Sequence, residues 1–218
     1  MTTSAPAPRA PSAYHHGDLR RGLLDAAESL LERDRGPAAL SLREVARAAG
    51  VSHNAPYRHF ADREALLAAL AAEGFVRLTA ALHAAARRSH AEARGLALGR
   101  AYLRFARTHP SLYLLMFGPD VRKSAYPALA AAAMEAFAAL RPAAGAGRDP
   151  ARRARHHAVG AWALAHGLAH LIVDRQLADD FAADDYRALI EDVLEAYDGI
   201  RSAPAFSEPA NGAGGGEG

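Results

Sequence analysis

"SLREVARAAGVSHNAPYRHF", residues 41–60, decides the fold of the N-terminal part of the chain. Ser41 is a good helix N-cap, and Glu44 three residues later completes the capping-box pattern. Gly50 ends this short helix, and Ser52 offers a second N-cap only two residues further on. We therefore predict two short helices joined by a tight turn, which is a helix-turn-helix.

Pro56 interrupts the second of these helices close to its start. Its missing N–H removes at most the first intrahelical hydrogen bond, and its ring restricts Ala55 just before it, so we expect the disruption to stay within the first turn. Val51 and Phe60 are predicted to pack inward while the polar side chains face outward. Pro56 either contacts a molecule that binds this outward face or only stiffens the start of the helix.

The outward face of the second helix suits the major groove of DNA, which such a helix enters with its N-terminus first. Asn54 can pair with an adenine edge, His53 can bond a base, and Ala55 can touch a thymine methyl. Tyr57, Arg58 and His59 are expected to bind phosphates. Arg43 on the preceding helix can contact either a base or a phosphate. The predicted DNA-contacting residues are Arg43, Ser52, His53, Asn54, Ala55, Tyr57, Arg58, His59 and Arg63.

Arg63 lies in the first turn of the next helix, which Asp62 is expected to cap. The positive end of the helix dipole disfavours a cation there unless an anion is near. A DNA phosphate would supply that anion. Pairing of Arg63 with Glu64, Asp62 or another surface carboxylate is the alternative, and the residues leave both open.

Helix formers dominate the rest of the chain, since Ala, Leu, Arg and Glu are frequent and alternating runs of Val, Ile and Thr are missing. This composition predicts an all-α protein with disordered ends at residues 1–13 and 202–218. Residues 14–62 would form the helix-turn-helix domain and residues 63–201 a second helical domain. The predicted helices run from residue 17 or 18 to near 34, from 41 and from 52, over the connector 63–83, and near 92–108, 111–117, 125–140, 151–176 and 184–200.

The bulk composition narrows the class of protein. The formal net charge is only +2, which argues against the alternative of a nonspecific DNA-organising protein, and Lys123 is the sole lysine among many arginines. Arginine favours bidentate contact with phosphate, although a composition bias explains the excess equally well. The absence of cysteine excludes disulfide and cysteine-based zinc or redox chemistry. With no signal peptide and no run of ~18 apolar residues, we expect a soluble cytoplasmic protein without a membrane partner.

Residues 14–70 carry a family resemblance in the stretch "YHHGDLRRGLLDAA" and the later motifs "AGVS", "YRHF" and "DREAL". Together they resemble the N-terminal domain of the tetracycline-repressor (TetR) family of bacterial transcription regulators. The family commonly has lysine in place of Arg63 and a small or aliphatic residue in place of Pro56. The resemblance implies a homodimeric repressor that a small-molecule effector releases from a palindromic operator.

A looser resemblance covers about residues 95–175, in "HPSLYLLMFG" and "AWALAHGLAHLIVD". These stretches are similar to a TetR-family C-terminal domain with a Trp-His-Gly signature, here Trp162, His166 and Gly167. The resemblance implies a ligand-binding and dimerisation domain whose last two long helices pair across a twofold axis. Most large apolar and aromatic residues there should be core, and a minority should line a pocket. The pocket candidates are Tyr102, Phe105, Tyr113, Met116, Phe117, Met134, Phe137, Trp162 and His166.

A metal site is the main alternative for the second domain. His166, His170 and Asp174 recur at intervals of four, so on a helix they share one face within reach of one metal ion. Such a site would make the chain a metal sensor or a metal-dependent hydrolase. The sequence lacks an H-E-x-x-H base, and His166 already belongs to the Trp-His-Gly signature, so we favour no metal.

Two further features bear on chemistry. His15 and His16, with Arg9 nearby, are expected to belong to a solvated N-terminal arm that reaches a minor groove. We find no Gly-rich phosphate loop and no Ser, His and Asp that local sequence brings together. The sequence therefore predicts neither an enzyme nor a cofactor.

Overall fold

The structure, a computed structural model, describes residues 16–34, 36–38, 40–91, 93–140, 150–177 and 185–202. Within these residues every regular element is helical, which confirms the all-α prediction. Of the predicted disordered ends, residues 1–13 and 203–218 lie outside the described residues, as do Arg9 and His15, whereas Ser202 is the last residue of a helix. The α-helices are α1 His16–Arg33, α2 Leu42–Ala48, α3 Arg63–Arg87, α4 Arg94–Thr108, α5 Pro110–Phe117, α6 Pro127–Ala139, α7 Pro150–Val173 and α8 Asp185–Ser202, with 3-10 turns at Pro56–Arg58 and Lys123–Ala125.

Helix α2 starts as its sequence predicts. The Ser41 hydroxyl accepts the backbone N–H of Glu44 at 3.2 Å and donates to the Glu44 carboxylate at 3.2 Å. This cap satisfies one of the free N–H groups of the first turn. The buried side of α2 packs against α1 and consists of Leu42, Val45 and Ala46.

The chain leaves α2 through a left-handed glycine. Gly50 has φ +68, and the N–H of Val51 reaches back to the carbonyl of Ala46 at 3.0 Å. A Cβ at residue 50 would meet nothing within 4 Å, so glycine is needed for its backbone conformation alone. The left-handed region costs other residues about 1 kcal/mol. This turn therefore fixes where residues 51–60 leave α2.

Helix α3 is the central helix of the fold. The Asp62 carboxylate caps it by accepting the N–H of Ala65 at 2.7 Å. The helix packs against α4, α5 and α6. By length and composition alone it is apolar enough to cross a membrane, but half of the apolar window is buried by its neighbours. Its apolarity is thus that of a core helix, with Leu66, Leu67, Leu70, Phe75, Leu78 and Leu82 buried.

Gly74 allows α5 to lie close to α3. A Cβ at this position would stand 2.6 Å from the sulfur of Met116 and 3.2 Å from Cγ of Leu112, both on α5 and both fully buried. Because these side chains have no free space, a larger residue at position 74 would push the two helices apart. The position of α5 therefore depends on a glycine in α3.

The structure corrects the prediction for Met134, which was expected to be core or pocket lining. Its side chain is 73% exposed. Helix α6 is rich in alanine, so its apolar residues do not mark one face. Met134 stands five residues from the buried Leu129, which turns it about 140° away around the helix. Met134 consequently faces away from the core of the chain.

Helix α7 closes the unit that ends at Gln176 by packing against α4. Its buried side includes Ala158, Ala165, Leu168 and Ala169. Helix α8 belongs to a separate unit. In that unit α8 carries an apolar stripe at the spacing of an amphipathic helix, made of Leu189, Ile190, Val193 and Leu194.

Candidate functional site

Residues 51–60, here named the recognition segment, do not form the predicted α-helix. They contain turns and one 3-10 turn at Pro56–Arg58. The N–H of Ala55 bonds the carbonyl of Ser52 at 2.9 Å, and that of His59 bonds the carbonyl of Pro56 at 2.9 Å. Both bonds span three residues, as in a 3-10 helix. The prediction that Ser52 caps an α-helix is therefore wrong.

Pro56 is the physical reason for this difference. In an α-helix capped at Ser52, residue 56 would donate its N–H to the Ser52 carbonyl, and proline has none. The carbonyl accepts from Ala55 instead, which tightens the turn. The Pro56 ring is buried in the domain, so it holds the segment to the core and faces away from the outer surface. The disruption therefore extends beyond the first turn, and a bond that spans four residues returns only at the end of the segment, from the Phe60 N–H to the Pro56 carbonyl at 2.9 Å.

The recognition segment nevertheless presents its polar side chains outward. Ser52, His53, Asn54 and Arg58 are exposed, and Tyr57 is 50% exposed. Two further predicted contacts, Ala55 and His59, are half-buried. On the inner side the Phe60 ring is buried and lies 5.6 Å beneath the Arg20 guanidinium of α1. The segment is thus anchored by apolar groups and exposes a polar row.

Helix α2 adds two cations beside this row. Arg43, predicted as a DNA contact, is exposed, and so is Arg47 one turn later. Residues four apart lie on one face of a helix, so both guanidinium groups project from the same side of α2. Sequence reasoning did not single out Arg47, although its spacing from Arg43 was a usable signal.

Arg63 has a partner that neither sequence interpretation named. Its Nε donates to the carbonyl of Leu40 at 2.8 Å, and its Nη2 donates to the carbonyl of Pro37. Both carbonyls lie in the connection between α1 and α2. Their partial negative charges offset the unfavourable helix dipole that the sequence pointed to. Arg63 therefore fastens the start of α3 to this connection.

Helix α1 is linked by charge to the second half of the chain. Glu28 pairs with Arg77 of α3 at 2.9 Å, and its other oxygen lies 3.7 Å from Nδ1 of His109. Glu32 accepts the backbone N–H groups of Ser111 and Leu112 at 3.3 and 3.1 Å. These N–H groups belong to the first turn of α5, where a carboxylate is favoured. Two carboxylates of α1 thus hold the start of α5.

An aromatic cluster lies at the other end of α5. It consists of Tyr102, Tyr113, Phe117, Trp162 and His166. The Tyr113 hydroxyl is 2.7 Å and the Tyr102 hydroxyl 3.0 Å from Nδ1 of His166. The rings of Phe117 and Trp162 lie 4.5 and 5.3 Å from the imidazole. Three polar groups therefore meet between aromatic walls.

Burial fixes the protonation states in the aromatic cluster. It raises the pKa of Tyr102 to about 12 and raises the pKa of Tyr113 further above its usual range, so both hydroxyls keep their protons. Burial, with smaller effects from His170 and Lys123, lowers the pKa of His166 to about 4. His166 is then neutral at pH 7, and its Nδ1 forms hydrogen bonds with the two tyrosine hydroxyls.

The remaining pocket candidates lie around this cluster. Phe137 contacts Trp162 with a ring distance of 5.8 Å. Met116 is buried against Gly74. Phe105 faces His109, at a ring distance of 5.2 Å, rather than His166. The structure thus brings six of the nine candidates into connected ring contact, namely Tyr102, Tyr113, Phe117, Phe137, Trp162 and His166.

The metal alternative finds no support in this geometry. Nδ1 of His166 is occupied by the two tyrosine hydroxyls, and Nδ1 of His170 lies 3.4 Å from the Asp174 carboxylate. Among the described residues, no three His, Cys, Asp or Glu side chains converge to hold a metal ion. His166 and His170 lie one turn apart on α7, and Asp174 follows directly after its end.

The fold and the exposed polar row define a class: an all-α helix-turn-helix protein that binds DNA and carries a helical sensor domain. Residues 23–70 match the bacterial regulatory proteins of the tetR family, and residues 95–197 match the tetracyclin repressor-like C-terminal domain. The chain belongs to the tetR family. It is a ligand-responsive, DNA-binding transcription regulator and not an enzyme.

Solved structures agree with this assignment. A protein of unknown function from Rhodococcus sp. RHA1 is 41% identical, with 87% of this chain and 96% of that chain covered and a TM-score of 0.68. A tetR-family transcriptional regulator from Streptomyces coelicolor is 24% identical over 86% of this chain and 84% of that chain, with a TM-score of 0.60. A tetR-family regulatory protein from Rhodococcus RHA1 is 18% identical over 81% and 95%, with a TM-score of 0.57. The last two share the fold.

Proposed function

We propose that the chain represses transcription by placing its recognition segment in the major groove of a near-palindromic operator. The observation that carries this proposal is the division of that segment into an exposed polar side, with Ser52, His53 and Asn54, and a buried side, with Pro56 and Phe60. A polar row held on an apolar anchor suits a partner that displays hydrogen-bonding edges. Base edges in the major groove are such a partner.

Individual roles follow from position and chemistry. Asn54 reads an adenine edge, His53 bonds a base, and the half-buried Ala55 lies close enough to the surface to touch a thymine methyl. The exposed groups around this tip bind the sugar-phosphate backbone and fix the register. Arg63 holds the α1–α2 connection through the carbonyls of Leu40 and Pro37 and thereby positions the domain. The phosphate-binding residues are Arg43, Arg47, Ser52, Tyr57, Arg58 and His59.

The proposed functional unit is a homodimer. Helix α7 exposes residues at intervals of four, including Val159, at 50%, and Leu171, at 38%. Between them Ala163 and Gly167 are small and exposed, so a second helix can approach closely along this stripe. The resemblance to the Trp-His-Gly type of C-terminal domain implies that the last two long helices, α7 and α8, pair across the twofold axis. Two copies would then reach half-sites ~34–36 Å apart on cytoplasmic DNA.

The proposed effector site is the aromatic cluster. Neutral His166 and two protonated tyrosines offer a hydrogen-bonding group inside apolar walls, as small-molecule sites do. Tyr113 belongs to α5, and Glu32 of α1 holds the start of the same helix. An effector that replaces the bond between Tyr113 and His166 favours another position of α5 and hence of α1. DNA is released only if the effector binds this second arrangement of α5 and α1 more tightly than the arrangement that binds DNA.

DNase I footprinting on DNA that flanks the gene of this protein tests the proposal. We expect two protected half-sites, and protection that survives an excess of random competitor DNA. Trp162 is the sole tryptophan and lies beside His166, so an effector in the cluster should change its emission while protection is lost. Protection that random DNA removes completely would instead indicate the nonspecific DNA-organising protein.

A further inference from the structure

A cavity lies away from the aromatic cluster, between the C-terminal half of α3 and helix α4. Its volume is about 430 Å³, within the ~300–1,000 Å³ range of small-molecule sites. Its apolar surface is formed by small side chains and one ring, which leaves room for a flat or linear apolar body. The apolar lining residues are Ala81, Ala85, Ala97, Ala101 and Phe105.

The polar lining of this α3–α4 groove has one sign of charge. It contains Arg88, Arg100 and Arg104, with His109 at one end and no carboxylate among its described lining residues. Arg88 and Arg104 are exposed, and neither side chain has an ion pair within the part of the chain that the structure describes. Guanidinium groups bind carboxylate and phosphate in bidentate fashion. The groove therefore has an apolar body and a cationic rim.

The groove and the aromatic cluster are separate sites lined by different residues of α4. Tyr102 points to Tyr113 and His166, whereas Phe105, three residues later, contacts His109 and lines the groove. His109 also faces Glu28 of α1 at 3.7 Å. A ligand in the groove would thus lie next to α1 without touching the cluster.

We propose that the α3–α4 groove binds a small amphiphilic anion, with its acid group on the arginine rim and its apolar body against the alanines and Phe105. This site goes beyond the effector site in the aromatic cluster. Carboxylate and phosphate esters share the required chemistry, because both offer paired oxygens to a guanidinium group. A neutral molecule with the same apolar body lacks the acid group, and inorganic phosphate lacks the body.

Isothermal titration of the full chain without DNA tests this site with four probes: decanoate, decyl phosphate, 1-decanol and inorganic phosphate. We expect saturable binding of one or both amphiphilic anions and none of the other two. The stronger of the two anions identifies the acid group that the rim prefers. Trp162 emission should stay unchanged, because Trp162 belongs to the cluster.

The variant Arg88→Gln/Arg104→Gln should weaken anion binding by roughly tenfold or more. The matched control is Arg87→Gln/Arg107→Gln, which removes two exposed arginines of the same helices outside the groove and should bind like the wild type. Thermal unfolding of both variants checks that the fold is intact. Equal affinity in the two double variants, or binding that quenches Trp162, would overturn the proposal.

Discussion

The recognition segment and the aromatic cluster use the same residue types in opposite ways. His53 and Tyr57 are exposed in the recognition segment, with Tyr57 at 50%. In the cluster Tyr113 is fully buried and bonds His166, whose pKa burial lowers to about 4. An exposed polar group adds little to stability but is free for a partner, whereas a buried one must be hydrogen-bonded.

The two regions differ in how exposed their side chains are because different kinds of element carry these residues. Pro56 keeps the recognition segment in tight turns, and a segment of ten residues has room to bury only Pro56 and Phe60. In the cluster, α4, α5 and α7 all contribute long side chains to a shared interior. Residue type therefore does not decide whether a His or Tyr side chain is exposed for a partner or buried in the interior. The packing of whole helices decides it.

The largest expected effect comes from the cations beside the recognition segment. Arg43→Gln/Arg47→Gln should weaken binding to all DNA sequences by roughly tenfold or more and reduce the salt slope of log affinity by about 2, because two counterion-releasing contacts are lost. Fluorescence anisotropy with labelled operator at several salt concentrations measures both quantities.

The control for this pair is Arg87→Gln/Arg107→Gln, which removes the same charge from exposed positions on α3 and α4. It should leave the salt slope at the wild-type value. An identical loss in the control would show that net charge alone acts, and that α2 does not lie on the DNA backbone.

A matched pair of tyrosine variants tests the comparison itself. Tyr113→Phe removes a buried hydroxyl that bonds His166 and should lower the free energy of unfolding by about 1–2 kcal/mol. Tyr57→Phe removes an exposed hydroxyl and should change stability by less than about 0.5 kcal/mol. Urea denaturation of both variants gives the two values.

The two tyrosine variants should rank in the opposite order when their affinity for DNA is measured. Tyr57→Phe loses a proposed phosphate contact and should weaken operator binding directly, whereas Tyr113→Phe can act only through the position of α5 and should weaken it less. If the two variants exchanged these phenotypes, the assignment of one segment to DNA and the other to the interior would be wrong.

Stability should also depend on pH through His166. The unfolded state binds a proton at His166 near pH 6.5, whereas burial lowers the pKa of the folded state to about 4. The contribution of His166 is therefore fully present above 6.5, is lost progressively as pH falls below it, and is gone once pH has fallen through about 4. His166→Gln should flatten this part of the stability profile, and urea titrations at about pH 7 and about pH 5 measure the change.

His156, exposed on the same helix, provides the control for this titration. His156→Gln removes an imidazole that lies outside the aromatic cluster and should keep the wild-type slope. A slope that both variants flatten equally would remove His166 as its source.

Predictions from the sequence were correct where bonds between near neighbours in the chain determine the local structure. The caps at Ser41 and Asp62 and the left-handed Gly50 follow from short-range bonds that a few residues specify. The long α3 follows from the repeated spacing of its leucines. For the same reason the all-α fold and the order of the helices were predictable.

Prediction failed where distant residues decide. The sequence placed Arg63 beside an anion, but the Leu40 and Pro37 carbonyls that it bonds lie more than 20 residues away. Met134 has the chemistry of a core residue, yet its position on α6 exposes it. Pro56 removed more than one helical hydrogen bond because burial of its ring also fixed the turns around it.

The central claim is that the exposed tip of the recognition segment reads bases, and a base-pair scan of Asn54→Ala tests it most directly. The affinity of wild type and variant is measured for the operator and for every single base-pair substitution, at one salt concentration. The account predicts that the variant loses about 1–3 kcal/mol on the operator and no longer discriminates at one base pair, where the wild type does. Equal discrimination by both proteins at every position would contradict it.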